Sequence, residues 1–315
     1  MIRLIARRLV TLIPLLLLVT FLTFALILLV PGDPAVTLAG DNATPEQIEA
    51  TRDRLGLNDP VLVQYGKWVG DLVTGDLGTS LYRNEEVGAT IVERLPVTLS
   101  LTALALVVAM LVAIPAGLVA GTRAGKISDK VATIASSIGV AMPSFWLALV
   151  LLLLFAIWNP WLPATGYVPL EQGPVTWLRH LALPAITLGT AAAAEMTRQL
   201  RSSMVDVLRN DYVRTAWSKG LSTPAVIGKH AFKNAAAPML TVAGLQVNVL
   251  LGGSIIVEQI FGLPGLGQLV ISAVNSRDLP MIQGVVVASV FIAVIANLIV
   301  DLTYGYLNPK VRAQR

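Results

Sequence analysis

Residues 211–238, DYVRTAWSKGLSTPAVIGKHAFKNAAAP, decide how this chain is read. They form the longest polar, basic stretch after residue 96, and apolar runs of membrane-spanning length flank them. Asp211 stands where it would N-cap a short helix over 212–219, and Gly220 where a left-handed residue would end it. Ser222 or Thr223 then caps a second helix with Pro224 in its first position, and Pro238 is expected to begin the next span. The pattern predicts a helix–glycine–helix elbow lying against a membrane.

The rest of the composition agrees with a membrane setting. Hydrophobic residues make up 55% of the 315 and charged residues 13%, with a mean hydropathy of +0.72. Soluble domains carry about 25% charged residues. Cysteine is absent, which removes disulfides, thiol nucleophiles and Cys-based metal sites. The two histidines, His180 and His230, are far apart and lack metal-ligand spacing. The net charge of +4 is accounted for by basic residues at cytoplasmic span ends, with no need for nucleic acid.

A span needs about 20 mostly apolar residues. Six windows qualify: 9–30, 97–119, 131–157, 181–204, 236–261 and 282–304. The fourth is interrupted by Glu195 and Arg198. The opening resembles a signal peptide in charge, but its apolar run is long and is followed by Pro31-Gly32-Asp33-Pro34, so it is read as a retained first span. Arg3, Arg7 and Arg8, then Lys126, then the elbow cations (Arg198, Arg201, Arg209, Arg214, Lys219, Lys229, Lys233), then Lys310, Arg312 and Arg315 all fall on one side. The opposite short segments carry only Arg179 and Arg277. The positive-inside rule therefore puts both termini and the elbow in the cytoplasm. The expected organisation is a tail and first span (1–30), an outer helical segment (31–96) and a five-helix core (97–315) containing the elbow at 205–237.

The outer segment reads as helical. Thr44-Pro45-Glu46-Gln47 is a capping box closed downstream by Gly56. Pro60 opens a second helix that puts Val61, Leu62, Tyr65, Trp68, Val69, Leu72 and Val73 on one face and stops at Gly75. Both a docking surface for an external protein and a packed cap on the bundle fit this helix. Gly117 and Gly121 are a small-xxx-small pair suited to close helix packing. The run GTRAGKIS is no phosphate loop, because Gly121 and Gly125 are one residue too close and no strand precedes them. Trp158, Trp161, Tyr167 and Trp177 make an interfacial belt, and Pro143 and Pro184 are expected to bend or start spans.

Three acidic residues fall in or at the ends of spans: Glu195, Glu258 and Asp301. Glu195, with Arg198 three residues on, is the pathway candidate, and an intrahelical ion pair facing an inner vestibule fits equally well. Glu258 precedes Gly262, Gly265 and Gly267 and is expected to accept N–H bonds from that loop. Asp301 is within reach of Lys310 or Arg312, also in a structural role. Residues 261–280 contain a Gly-Pro turn and a short helix near 266–276.

The elbow resembles the cytoplasmic loop of bacterial ABC-importer permeases, whose motif is Glu-Ala-Ala, three residues, then Gly. Here Arg214-Thr215-Ala216 precede Trp217-Ser218-Lys219 and Gly220, and the first two letters depart from the motif. The oligopeptide/dipeptide/nickel branch of that family is also resembled by RRLVTLIPLLLLVTFLTFALILLVPGDPA, LGLNDPVLVQYGKWVGDLVTGDLGTSL, EQIFGLPGLGQLV and DLTYGYLNPKVR, in order along nearly the whole chain. The resemblance implies an all-α membrane protein with the six-helix transmembrane fold of type I ABC importers, in the plasma membrane of a bacterium. It implies a homologous second permease, two cytoplasmic ATPases that hold ATP and Mg, and an external substrate-binding protein. Thr215, Ala216, Trp217, Lys219, Gly220 and Leu221 would seat in an ATPase cleft. Loops such as 261–280 would fold over the outer mouth.

Without that resemblance the elbow fits a surface amphipathic hairpin equally well. With it, a permease for di- and oligopeptides is the first choice, and nickel or another small solute the alternative. A proton-coupled secondary transporter using Glu195 is the runner-up class, but the inverted repeats it calls for are not evident. An intramembrane enzyme would need a nucleophile–base pair or metal ligands within the spans, which the sequence does not offer.

Overall fold

The computed structural model describes residues 13, 14, 16–25, 34–40, 43–54 and 56–307. The ends of the first span, Arg3, Arg7, Arg8, Lys310, Arg312 and Arg315 lie outside the described residues, as does the pairing expected of Asp301. The described chain is helical, and a single bridge joins Thr79 to Glu86. The helices are α1 (Leu16–Ala25), α2 (Pro34–Ala39), α3 (Pro45–Arg54), α4 (Val61–Thr74), α5 (Val87–Thr122), α6 (Ile127–Ala141) and α7 (Ser144–Leu152). They continue as α8 (Pro174–Leu208), α9 (Asp211–Ser218), α10 (Thr223–Ala225), α11 (Lys233–Phe261), α12 (Leu266–Asn275) and α13 (Leu279–Leu307). Two compact units emerge, residues 1–96 with 268–294, and residues 97–267 with 295–315.

In the first unit the expected punctuation is visible. The Thr44 N–H donates to Gln47 Oε1 at 2.9 Å and the Gln47 N–H to Thr44 Oγ1 at 3.3 Å, which completes the capping box of α3. Gly75, at φ +89°, ends α4 in the left-handed region. The apolar face of α4 is narrower than its sequence suggests. Tyr65, Trp68, Val69 and Leu72 are partly covered, while Val61, Leu62 and Val73 stay exposed. A stripe at spacings of three and four is all that one neighbouring helix can cover. Here that neighbour is α1: the Tyr65 hydroxyl donates to the Leu17 carbonyl at 3.0 Å, and Phe21 and Phe24 meet its ring edge-on. A buried tie not visible in the sequence links Ser80 to Asp278, whose carboxylate also accepts the Leu81 N–H at 3.2 Å and the Met281 N–H at 3.4 Å. Asp278 thereby caps the start of α13.

The second unit is built around α8. Leu181, Leu183, Met196, Leu200 and Met204 are fully buried against α5, α6, α7 and α11. Small residues allow the close approach. A Cβ on Gly117 would lie 2.8 Å from Leu200, one on Gly121 2.5 Å from Met204, and one on Gly189 2.6 Å from the Ala105 carbonyl. Burial of this kind is dispersion and shape fitting, which is what holds helices together where lipid competes for apolar surface.

Among the described residues three helical stretches are long and apolar enough to cross a membrane: Val87–Thr122, Thr223–Phe261 and Leu279–Val300. The expected span at 131–157 is not one straight helix. It breaks at Met142–Pro143, and its arms, Ile127–Ala141 and Ser144–Trp158, are bent by 101°. Pro143 donates no N–H and drives Met142 into extended backbone (φ −76°, ψ 121°), so α6 stops there. Counted as one, the bent pair makes a fourth span. Helix α8 has 35 residues, ample length, yet Glu195 and Arg198 interrupt its apolar run and it is not among the four.

Candidate coupling elbow and pathway residues

The elbow forms where the sequence places it, with different edges. Helix α9 begins at Asp211, and the capping position belongs to Asn210, in extended backbone and without a side-chain cap bond. At the other end Gly220 adopts φ +77°. The Gly220 N–H donates to the Trp217 carbonyl at 2.9 Å and the Leu221 N–H to the Ala216 carbonyl at 3.3 Å. These bonds close a Schellman motif, which explains the glycine: an L side chain at that φ is strained even where space is open.

The six residues implied for coupling divide by burial. Ala216 is buried in a small core with Val213 and Val226, against which Val207 and Leu208 pack. It shapes the elbow from within. Thr215, Trp217, Lys219, Gly220 and Leu221 are exposed, as is Tyr212, whose hydroxyl accepts a 2.8 Å bond from Asn234 Nδ2. Trp217 at 42% and Leu221 at 39% exposure leave an aromatic and an aliphatic side chain standing free beside the turn.

The second arm of the elbow corrects the sequence reading. Pro238 does not begin the next span. Ser222 caps α10, which passes through a π turn (Val226–Phe232) directly into α11, making one helix of 39 residues from Thr223 to Phe261. Pro238 lies inside it. Pro238 has no N–H to give the Asn234 carbonyl, and a membrane helix accommodates such an internal proline because neighbouring side chains and local helix adjustments take up the freed backbone groups. The elbow and the span are therefore mechanically continuous.

Glu195 and Arg198 meet as an i,i+3 ion pair on α8, with side chains 44% and 40% exposed. This is the intrahelical pair that the sequence reading set beside the pathway role. Sequence reasoning missed a second pair. Arg201 binds Asp129, in the first turn of α6, through Nε and Nη2, and Asp129 Oδ2 also accepts the Gly125 N–H at 2.8 Å. The Asp129 side chain is only 5% exposed. The residues are 72 positions apart, and the available signal was an acidic residue just after a glycine turn at a helix start.

Glu258 does what its glycine-rich sequel implied. It is wholly buried, accepts the Gly267 N–H at 2.7 Å on Oε2 and the Thr98 hydroxyl at 2.7 Å on Oε1, while Thr98 Oγ1 accepts the Leu266 N–H at 2.9 Å. A Cβ on Gly265 would stand 2.5 Å from the carboxylate. The loop after α11 is thus pinned to α5 by a satisfied buried carboxylate.

Comparison with known proteins follows the same lines. Residues 113–313 match the model of the family described as binding-protein-dependent transport system inner membrane component, and residues 1–102 match the model of its N-terminal region. The chain belongs to this family. The permease is 44% identical over 309 residues, 98% of either chain, to a putative peptide transport system permease protein of Brucella abortus. It is 42% identical to the dipeptide transport system permease protein DppB of Alkalihalophilus pseudofirmus, covering 97% of this chain and 98% of that one. It is 39% identical to the oligopeptide transport system permease protein AppB of Bacillus subtilis, over 98% of each. The permease is thus a multi-pass, helical membrane component of a transport system with further components, and the fold is that of the type I importer transmembrane subunit.

Proposed function

We propose that this permease forms half of an ATP-driven translocation pathway for di- and oligopeptides. The single observation that carries the reading is the elbow: a Schellman-closed first arm, α9, with Trp217 and Leu221 exposed, and a second arm, α10, that runs through Val226–Phe232 into a spanning helix. A partner that grips such an elbow and moves it moves the span, so a conformational equilibrium is shifted by differential binding at the elbow.

In this reading Thr215, Trp217, Lys219, Gly220 and Leu221 face a cytoplasmic ATPase, and Ala216 keeps the elbow packed. Two such ATPases hold ATP and Mg and do the hydrolysis, so the permease itself is not an enzyme. A homologous second permease completes the pathway, and an external binding protein delivers solute. Six spans are read from the six apolar windows, and the basic residues at one set of their ends orient both termini to the cytoplasmic side of a bacterial plasma membrane. Peptides are favoured by the names of the full-length relatives. Among the described residues no three His, Asp or Glu side chains converge as a metal would require, so nickel gains no support. Glu195 is engaged by Arg198, which speaks against a lone carboxylate driving proton-coupled transport.

Extraction in mild detergent tests the reading. Two ATPases and a second permease are expected to co-purify, with ATP hydrolysis that responds to binding protein and peptide. Purification of the chain alone, still able to move peptide in a pH gradient, contradicts it.

A further inference from the structure

The exposed face of α8 has a chemistry at odds with lipid. Ala191, Glu195, Arg198, Ser202, Asp206 and Arg209 recur every three or four residues, so they share one stripe, and each is exposed or half-exposed within its unit. Glu195 precedes Arg209 by fourteen residues, about 21 Å along the helix axis, against a hydrocarbon core of about 30 Å. On the proposed topology the stripe runs from the elbow well into the membrane, and its charges alternate in sign.

We infer that this stripe lines a water-filled passage, and that the Glu195–Arg198 pair within it reads the two charged ends of a zwitterionic peptide. This rests on the peptide-importer reading and adds the residues that recognise solute in transit. A half-exposed ion pair facing hydrocarbon is costly, whereas the same pair facing water is not. Exposed apolar residues lie elsewhere: Leu245 and Val249 on α11 are 62% and 61% exposed and have the chemistry of a lipid or protein-packing face.

The pairing itself supplies the selectivity. At rest each charge satisfies the other. A zwitterion can replace both halves at once, its ammonium against the Glu195 carboxylate and its carboxylate against the Arg198 guanidinium, and no charge is left alone. A solute with one charge leaves Glu195 or Arg198 unpaired in a confined site, a difference of about tenfold or more in passage. Arg198 suits the task because its planar fork takes a carboxylate with two bonds.

The absence of native cysteine makes the first test direct. Single cysteines replace Glu195, Arg198, Ser202, Leu245 or Val249 in the complete transporter, in inside-out vesicles treated with a membrane-impermeant sulfonatoethyl thiosulfonate reagent. Labelling at Glu195→Cys, Arg198→Cys and Ser202→Cys, with Leu245→Cys and Val249→Cys unlabelled, is expected. Unlabelled stripe cysteines overturn the inference. The second test compares uptake of alanyl-alanine in proteoliposomes. Glu195→Gln and Arg198→Gln are each expected to lose about tenfold. The double Glu195→Gln/Arg198→Gln variant separates recognition from an intrahelical staple: it stays slow if the pair reads charge, and recovery to the wild-type rate overturns that role. Failure of wild-type uptake to depend on ATP defeats the importer reading instead, and the labelling pattern still decides where the stripe faces.

Discussion

Arg201 holds Asp129 with two guanidinium nitrogens, Nε on Oδ1 and Nη2 on Oδ2 at 2.8 Å, while the Gly125 N–H bonds the same carboxylate at 2.8 Å. One side chain thus ties the α5–α6 turn to α8, seven residues before α8 ends at Leu208. On the proposed reading, the elbow moves with a body that includes α5, α6 and α8.

Removing the carboxylate leaves a partly covered cation without its partner. Asp129→Ala is expected to destabilise by about 2–3 kcal/mol, the lower end for a buried pair because Arg201 is 35% exposed. Asp129→Asn, which keeps the size and one acceptor, is expected to lose less. The midpoint of thermal unfolding in detergent, followed by tryptophan fluorescence, checks both. Equal midpoints for Asp129→Ala and wild type would refute the tie.

Gly220 is required for its φ of +77° and not for space, since nothing lies within 4 Å of a Cβ there. Gly220→Ala is therefore expected to cost about 1 kcal/mol, Gly220→Asn less and Gly220→Val more. The ordering is readable from the same thermal midpoints. A bulky Gly220→Trp adds an outward obstruction and is expected to impair uptake more than stability.

Gly265 and Gly267 behave in the opposite way. A Cβ on Gly265 meets the Glu258 carboxylate and Thr98 at 2.5–2.6 Å, and one on Gly267 meets Ile255 Cα at 2.5 Å. Alanine at either site is expected to destabilise by about 1–3 kcal/mol through overpacking. Gly66→Ala and Gly70→Ala, in the middle of α4 with nothing nearby, are the controls and are expected to stabilise by about 0.5–1 kcal/mol.

The three sites show what a sequence carries. Gly220, the Thr44–Gln47 capping box and the Glu258–glycine loop are local patterns in which the partners lie within about ten residues, so spacing and side-chain chemistry suffice to predict them. The Asp129–Arg201 and Ser80–Asp278 ties join residues 72 and 198 apart, and no local pattern brings such partners together. The 101° bend at Pro143 and the passage of a helix through Pro238 show proline acting in two ways. At Pro143 the preceding residue goes extended, and at Pro238 the helix continues. Proline favours a break at both positions, and at Pro238 the surroundings override it. Hydropathy located the runs at 97–119, 236–261 and 282–304, each of which falls on a helix long enough to span, but it could not show that the elbow and the span after it are one helix.

Gly244 offers a paired test of helix packing. A Cβ there would lie 2.1 Å from Val300 Cγ1, so Gly244→Ala is expected to destabilise by about 1–3 kcal/mol. Val300→Ala removes the obstructing methyls, and the double variant is expected to recover most of the loss. A double-mutant cycle on thermal midpoints reads the coupling directly. Additive losses would contradict the contact.

The most direct test of the central claim measures ATP hydrolysis and peptide uptake on the same proteoliposomes, with wild-type permease or the exposed-elbow variant Trp217→Ala/Leu221→Ala. Trp217 and Leu221 are exposed and Ala216 remains in place, so the fold is expected to survive. The account predicts wild-type uptake that requires ATP, and a variant in which uptake falls much further than hydrolysis or the ATPases no longer co-purify. Unchanged uptake per ATP in the variant, with the ATPases still bound, would contradict the elbow as the point where hydrolysis reaches the membrane.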